Sequence, residues 1–363
     1  MHIRYFRETL QEWNRAENAR EMPWKGEKDP YKIWLSEIIL QQTRVEQGRS
    51  YYMKFIYNFP FIKDLAEAAD ERVFKLWEGL GYYSRCKNLL ETARFIAREK
   101  NGRFPSAYED ILALKGVGPY TAAAIASFAF GLPHAVVDGN VLRVLSRYFG
   151  ISIPIDTTEG KNKLTELASR CLDEKNPGAY NQALMDFGAV VCKPAAPLCE
   201  RCPLAGKCLA LKEGKVDILP IKSKKITRRD RFFLFVVAEY KEDIYVRKRT
   251  GRDIWENLFE FIIHEVKDSQ EKEWKDYRHL LKSAWFLDLA GNTPYVVETA
   301  SPLFRQMLTH QQVHARFVRI ALTHPLADPG DYQRVSKQEL GNLAFPRLLN
   351  EYLSASLQQS TLF

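Results

Sequence analysis

"LALKGVGPYTAAAIASFAFG", residues 112–131, runs from the end of one helix through Gly116-Val117-Gly118 straight into a second helix. Pro119 suits the first helical turn, where its missing N–H removes no hydrogen bond, and Gly131 and Pro133 punctuate the helix end. Two glycines in so tight a connection let the backbone approach a partner closely. Backbone N–H groups at a helix start favour an anion, so a phosphate is a natural partner. Gly-x-Gly alone is a weak signal, and a plain helical hairpin in a bundle would satisfy it equally.

Around this hairpin the pattern from residue 1 to about 210 is helical, with amphipathic or apolar segments broken by short signals such as "NFPF", "GLGYYS", "NGRFP" and "GLPHA". After Leu219-Pro220 comes "IKSKKITRRDR", six cations against Asp230, and then β-type runs: "FFLFVVAEY", "DIYVRKR", "LFEFIIHEV" and "VHARFVRIAL". Helix is expected again at "SKQELGNLAF" and "PRLLNEYLSA". The expected organisation is thus a mainly α region over 1–212, a basic linker over 213–230 and an α+β domain over 231–363. The 363 residues suffice for separate cores, and 46% apolar content is that of a globular protein. Net charge +8 attracts polyanions. The longest apolar runs fall far below a membrane span, and the N-terminus has no apolar run behind its charges, so a cytoplasmic protein is expected.

Three local features carry chemistry. In "IWLSEIILQQTRV" (33–45), Glu37 sits among Ile33, Trp34, Leu35, Ile38, Ile39 and Leu40. A helix apolar on nearly every side is buried, and a carboxylate on it must be paired, protonated or used. In "AVVDGNVLRVLSRYFG" (135–150), Asp138 is placed to cap a helix, where the N-terminus stabilises its ionised form. Cys192, Cys199, Cys202 and Cys208 give C-x6-C-x2-C-x5-C, a metal-ligand cluster rather than dispersed disulfide partners. Zinc and an iron–sulfur cluster both suit four thiolates, although zinc ribbons usually show two C-x2-C pairs.

The hairpin followed some twenty residues later by Asp138 resembles the helix-hairpin-helix DNA glycosylases, and the cysteine spacing matches the [4Fe–4S] loop of that superfamily. Hydrolysing an N-glycosidic bond asks for an acid to protonate the departing base and a carboxylate to support an oxocarbenium-like sugar. Glu37 has the environment of the acid and Asp138 that of the ionised partner. "MPWKGEKDPYKIWLSEIILQQTRV" (22–45), "WEGLGYYSRCKNL" (77–89), "LKGVGPYTAAAI" (114–125), "VVDGNVLRV" (136–144) and the cysteine loop resemble, in that order, the mismatch-specific adenine DNA glycosylases of the MutY family. That resemblance implies a monomeric base-excision repair enzyme, associated with a bacterial nucleoid, that removes adenine paired with 8-oxoguanine or guanine in double-stranded DNA. It implies catalytic roles for Glu37, Asp138, Tyr120 and Asn140, and phosphate contact at Gly116 and Gly118. Gln42 and Tyr82 match side chains that wedge into the duplex, and Arg20 matches a residue of the adenine pocket. Tyr120 stands where the bifunctional glycosylase/lyase branch carries a lysine, which implies a monofunctional enzyme. The C-terminal domain resembles a Nudix-like recognition module through "GRDIWENLFEF" and "LGNLAFPRLL". It lacks the glutamate array of a hydrolytic Nudix enzyme, and Leu308-Thr309-His310 stands where the family's 8-oxoguanine-reading loop has Phe-Ser-His.

Overall fold

The structure, a computed structural model, describes residues 2–223, 227–266, 277–291 and 293–360, with side chains as far as residue 356. It divides into two compact units, Met1–Glu67 with Lys87–Lys225, and Ala68–Cys86 with Ile226–Phe363. The helices are α1 His2–Ala16, α2 Pro30–Leu40, α3 Val45–Asn58, α4 Ile62–Glu67, α5 Asp70–Trp77, α6 Tyr83–Glu99, α7 Tyr108–Leu112, α8 Pro119–Phe130, α9 Gly139–Tyr148, α10 Thr158–Cys171, α11 Pro177–Val190 and α12 Leu209–Lys212. After the seven-stranded sheet begins come α13 Tyr277–Leu281, α14 Ala284–Ala290 and α15 Arg347–Ser360.

In the helical unit, α2 starts where Asp29 accepts a hydrogen bond from the Tyr31 N–H at 2.9 Å and Pro30 takes the first turn. Its residues from Ile33 to Ile39 are all buried, Glu37 included. The hairpin forms as expected: α7 leads through Gly116, whose φ of 78° suits glycine alone, to Gly118 and α8, which ends at Gly131 in the left-handed region. Amphipathic α9 buries Val141, Val144 and Leu145 against Phe6, Leu10 and Trp13 of α1 and Leu184 and Phe187 of α11. The α9–α11 crossing is tight. A Cβ on Gly188 would come 2.6 Å from Cβ of Asn140, so glycine is what lets α11 approach the start of α9.

In the sheet unit, the strands are β1 Arg229–Tyr240, β2 Asp243–Lys248, β3 Phe259–Val266, β4 Tyr295–Ala300, β5 Phe304–Met307, β6 Gln311–Leu322 and β7 Gln333–Ser336. They run in the order β4-β6-β1-β3-β2-β7, with β5 also on β6. Among the described residues only β1 and β6 pair in parallel; the other pairings are antiparallel. Central β1 is buried on both faces. Phe232, Leu234 and Val236 join Leu280 and Phe286, while Phe235 stacks on Phe317, which stacks on Tyr352 of α15.

Three expectations are corrected. Residues 68–86, expected within the helical region, belong to the sheet unit, where Lys75 Nζ donates to the Leu343 carbonyl at 2.9 Å and Glu78 accepts from the Phe345 N–H at 2.8 Å. The 213–230 stretch is no free tether. Leu219 is buried, the Ile155 N–H donates to the Ile221 carbonyl, Ser223 binds Asp156, and β1 already starts at Arg229; residues 224–226 lie outside the described residues. "SKQELGNLAF" is not a helix, because its start finishes β7 and only Glu339–Asn342 makes a single 3-10 turn.

Candidate active site

Glu37 is 6% exposed. Burial pushes its carboxyl up to about 7; the neighbouring Tyr120 hydroxyl works against the shift, and the charge of Asp138 adds to it. Asp138 caps α9, its Oδ1 accepting from the Val141 N–H and its Oδ2 from Nδ2 of Asn140, both at 2.7 Å. Burial raises this carboxyl above its ordinary range too, but these donors and the Arg143 guanidinium hold it back. Asn140 is itself fixed, since its Oδ1 accepts from Arg143 Nη2 at 2.8 Å. Two neighbouring carboxyls thus differ in their means of stabilisation. Desolvation favours the protonated form of Glu37, and Asp138 is surrounded by donors that favour the anion.

Glu37, Tyr120 and Asp138 line one open cleft of about 750 Å³ with Leu40, Gln41, Gln42 and Gly139. Gln42 is exposed at its edge with φ 57°, a left-handed conformation uncommon for a residue other than glycine. Four expected residues therefore converge on the cleft. Asn140 stands directly behind it through Asp138.

Arg20 does not join them. Its guanidinium pairs with Asp186, whose side chain is fully buried, at 2.8 Å. A second cavity of about 760 Å³ shares Glu37 with the first and is lined by residues that the sequence reading missed, among them Trp24, Lys25, Ser36 and Gln182. The only local hint was "MPWKGEKDP", where a tryptophan and a lysine precede α2.

In the sheet unit, Tyr82 is exposed at φ 48° and shares a 2.6 Å hydrogen bond between its hydroxyl and that of Thr309. Thr309 lies in the β5–β6 turn closed by the Leu308 N–H on the Gln311 carbonyl at 2.8 Å; the Arg229 N–H donates to the His310 carbonyl at 3.0 Å. Residues expected to wedge the duplex and to read the lesion thus meet side chain to side chain.

The four cysteines form no disulfide and line one cavity with Arg147, Val191, Leu198 and Leu211. Arg147 from α9 braces the loop, donating to the Lys193 carbonyl at 2.7 Å and to Sγ of Cys192 at 3.5 Å. Among the described residues no three His, Cys, Asp or Glu side chains converge closely enough for a single metal ion. The thiols instead stand on the walls of a shared cavity.

Residues 35–170 match the HhH-GPD superfamily of base excision DNA repair proteins. The chain is 37% identical over 261 residues to an adenine DNA glycosylase of Buchnera aphidicola from Schizaphis graminum, covering 72% of this chain and 75% of that protein. The chain belongs to the adenine DNA glycosylase family. A human adenine DNA glycosylase is 42% identical over 214 residues, covering 56% of this chain and 39% of that protein. Among solved structures, a thermostable thymine-DNA glycosylase superposes with a TM-score of 0.55 at 32% identity, covering 58% of this chain and 97% of its own. The buried Glu37, the half-buried Asp138, their cleft and the hairpin are therefore features of a base-excision DNA N-glycosylase. None of its described helices is long and apolar enough to cross a membrane.

Proposed function

We propose that the enzyme hydrolyses the N-glycosidic bond of adenine paired with 8-oxoguanine or guanine in duplex DNA, without lyase activity. The observation that carries this is the pair of carboxyls on one cleft, one pushed up to about 7 and the other held by donors at a helix start. The adenine is extruded from the duplex, a step that costs a few kcal/mol. Protonated Glu37 gives its proton to a ring nitrogen of the base as the bond to the sugar lengthens. Anionic Asp138 faces the positive charge that develops on the sugar, and Asn140 and Arg143 keep it in place. Tyr120 orients the Glu37 carboxyl through its hydroxyl. It offers no amine for a Schiff base, which supports monofunctional chemistry. Water then completes the hydrolysis.

Gln42 and Tyr82, thrust outward by strained backbone, wedge the duplex beside the mispair; Gly116 and Gly118 bring the hairpin backbone to a phosphate. Thr309, with Leu308 and His310, reads the base opposite. Cys192, Cys199, Cys202 and Cys208 hold a [4Fe–4S] cluster. Four soft thiolates lining one cavity, spaced C-x6-C-x2-C-x5-C, suit such a cluster, whereas zinc ribbons usually show two C-x2-C pairs. Such a cluster shapes the loop that carries Lys193, Arg201 and Lys207. The test is a panel of duplexes with adenine opposite each normal and oxidised base. Breaks should appear only after alkali and be strongest opposite 8-oxoguanine and guanine; breaks made without alkali, or excision of a base other than adenine, would overturn the proposal.

A further inference from the structure

The Tyr120 hydroxyl is bonded to a weak acceptor and neighbours a strong one. Tyr120 stands in the first turn of α8 and packs against the buried cluster that contains Met185 of α11, a residue 8% exposed. Its hydroxyl donates to Sδ of Met185 at 3.8 Å. The same hydroxyl neighbours the Glu37 carboxyl and favours its charged form. Burial and the charges of Glu37 and Asp138 hold the phenol well above its ordinary range, so it keeps its proton and is a donor whether Glu37 is protonated or not. A thioether is a weak acceptor with no proton to give and no charge, whereas a carboxylate is a strong acceptor. The sulfur can therefore hold this hydroxyl against a neutral acid and loses it to an anion. A carbonyl oxygen in its place would hold the hydroxyl outright, and an aliphatic side chain would leave it to Glu37 at all times.

Resting on the reading of Glu37 as the acid that protonates the departing base, we propose that Met185 is a positioning residue whose sulfur keeps the Tyr120 hydroxyl off the Glu37 carboxyl while the acid is loaded and yields it as the proton leaves. Glu37 gives its own proton to the base; Tyr120 keeps its proton and changes only its acceptor. Without the sulfur, the hydroxyl binds the carboxyl in both states, stabilises the anion in advance and leaves less acid at neutral pH. With the sulfur, that stabilisation is realised as charge develops on Glu37, where it lowers the barrier. The charged groups facing the pair are Asp138 at the start of α9 and, across the second cavity on Glu37, Lys25, Glu27 and Lys28; Asp186, next to Met185 on α11, is paired with Arg20.

The test is the pH dependence of single-turnover adenine excision opposite 8-oxoguanine by full-length wild type, Met185→Leu, Tyr120→Phe and the double variant. Leucine keeps the bulk and apolar character of Met185 and removes the sulfur. The alkaline limb, near pH 7 in the wild type, should move down by about half a pH unit in Met185→Leu, with little change in rate well below it. Tyr120→Phe should move the limb up, and adding Met185→Leu to it should move the limb no further. A purely structural role for Met185 predicts an equal loss of rate at every pH, with or without the hydroxyl. Should Tyr120→Phe be too slow for a profile, titration of Glu37 by carbon NMR in the same four proteins gives the same comparison; should Met185→Leu fold poorly by circular dichroism, Met185→Ile takes its place. An unmoved limb in the folded variant, or an equal downward shift in the Tyr120→Phe background, overturns the inference while leaving Glu37 as the acid. A wild type with no alkaline limb near pH 7 overturns both.

Discussion

The cleft of the helical unit and the Tyr82–Thr309 corner of the sheet unit both gather functional side chains, by opposite means. In the cleft, the groups sit on or at the ends of regular helices, are buried or half-buried, and have their protonation set by desolvation and by aimed donors. At the corner, two hydroxyls meet on exposed turns, one of them on a left-handed backbone. Proton transfer and charge stabilisation need a dry, rigid setting in which each interaction counts for much. Telling one base from another needs accessible groups that exchange water for a partner, each worth little. Substitutions in the cleft should therefore be near all-or-none, and those at the corner graded.

The largest effect is expected at the two carboxyls. Glu37→Gln and Asp138→Asn should each lower single-turnover excision by about 10²-fold to 10⁴-fold while duplex affinity stays near wild type, measured by quenched-flow and by filter binding. Near-normal cleavage by Glu37→Gln would remove the acid from the mechanism.

Next comes the cysteine loop. Replacing Cys199 or Cys202 by Ala should give protein that is poorly folded and binds DNA weakly, because the cluster supplies the loop's fold. Wild-type protein prepared without oxygen should contain iron; metal analysis that found zinc alone would sink the cluster assignment.

The protonation of Glu37 predicts a pH dependence with a definite sign. Its folded pKa of about 7 lies above the ordinary value of 4.5, so between those limits the unfolded chain loses a proton that the native protein keeps. Native stability falls as pH rises through that window, by on the order of 3 kcal/mol in total, and is not diminished by this group below it. Glu37→Gln should thus raise the melting temperature at pH 7.5 and change it little near pH 4.5. The same titration removes the acid, so excision by the wild type should fall on the alkaline side of about pH 7. Equal melting shifts at both pH values would show that Glu37 is not held protonated by burial.

How much of this was legible in the sequence follows the range of the physics. The hairpin could be read because turn chemistry is local, with Gly116, Gly118, Pro119 and Gly131 each declaring a backbone state. Glu37 could be read because an apolar run makes any carboxylate within it conspicuous, and Asp138 because helix capping spans three residues. Asp186 could not. Its neutralising partner Arg20 is 166 residues away, so nothing nearby marks it as buried. Residues 68–86 have the same periodicity as their helical neighbours, and periodicity does not say which core a helix joins. Strands β4 and β5 escaped because their residues are exposed or half-buried, leaving no alternation to detect.

The smallest effects belong to the corner, where they test the comparison most sharply. Tyr82→Phe and Thr309→Ala each remove one hydroxyl of a single 2.6 Å hydrogen bond at a solvent-accessible position. Water can replace the lost partner there, so each substitution should cost about 0.5–1.5 kcal/mol, or roughly twofold to twelvefold in the preference for 8-oxoguanine over guanine opposite adenine. Excision opposite guanine should hardly change, because the proposed chemistry rests on Glu37 and Asp138 and on neither hydroxyl. If the two hydroxyls act only by holding each other in place, the double variant should lose no more than either single one. If each contacts the duplex independently, the losses should add. Single-turnover rates on both duplexes for the four proteins distinguish these outcomes. A loss of a hundredfold or more from either single substitution would break the contrast with the cleft, making the corner as rigid and desolvated as the site of chemistry.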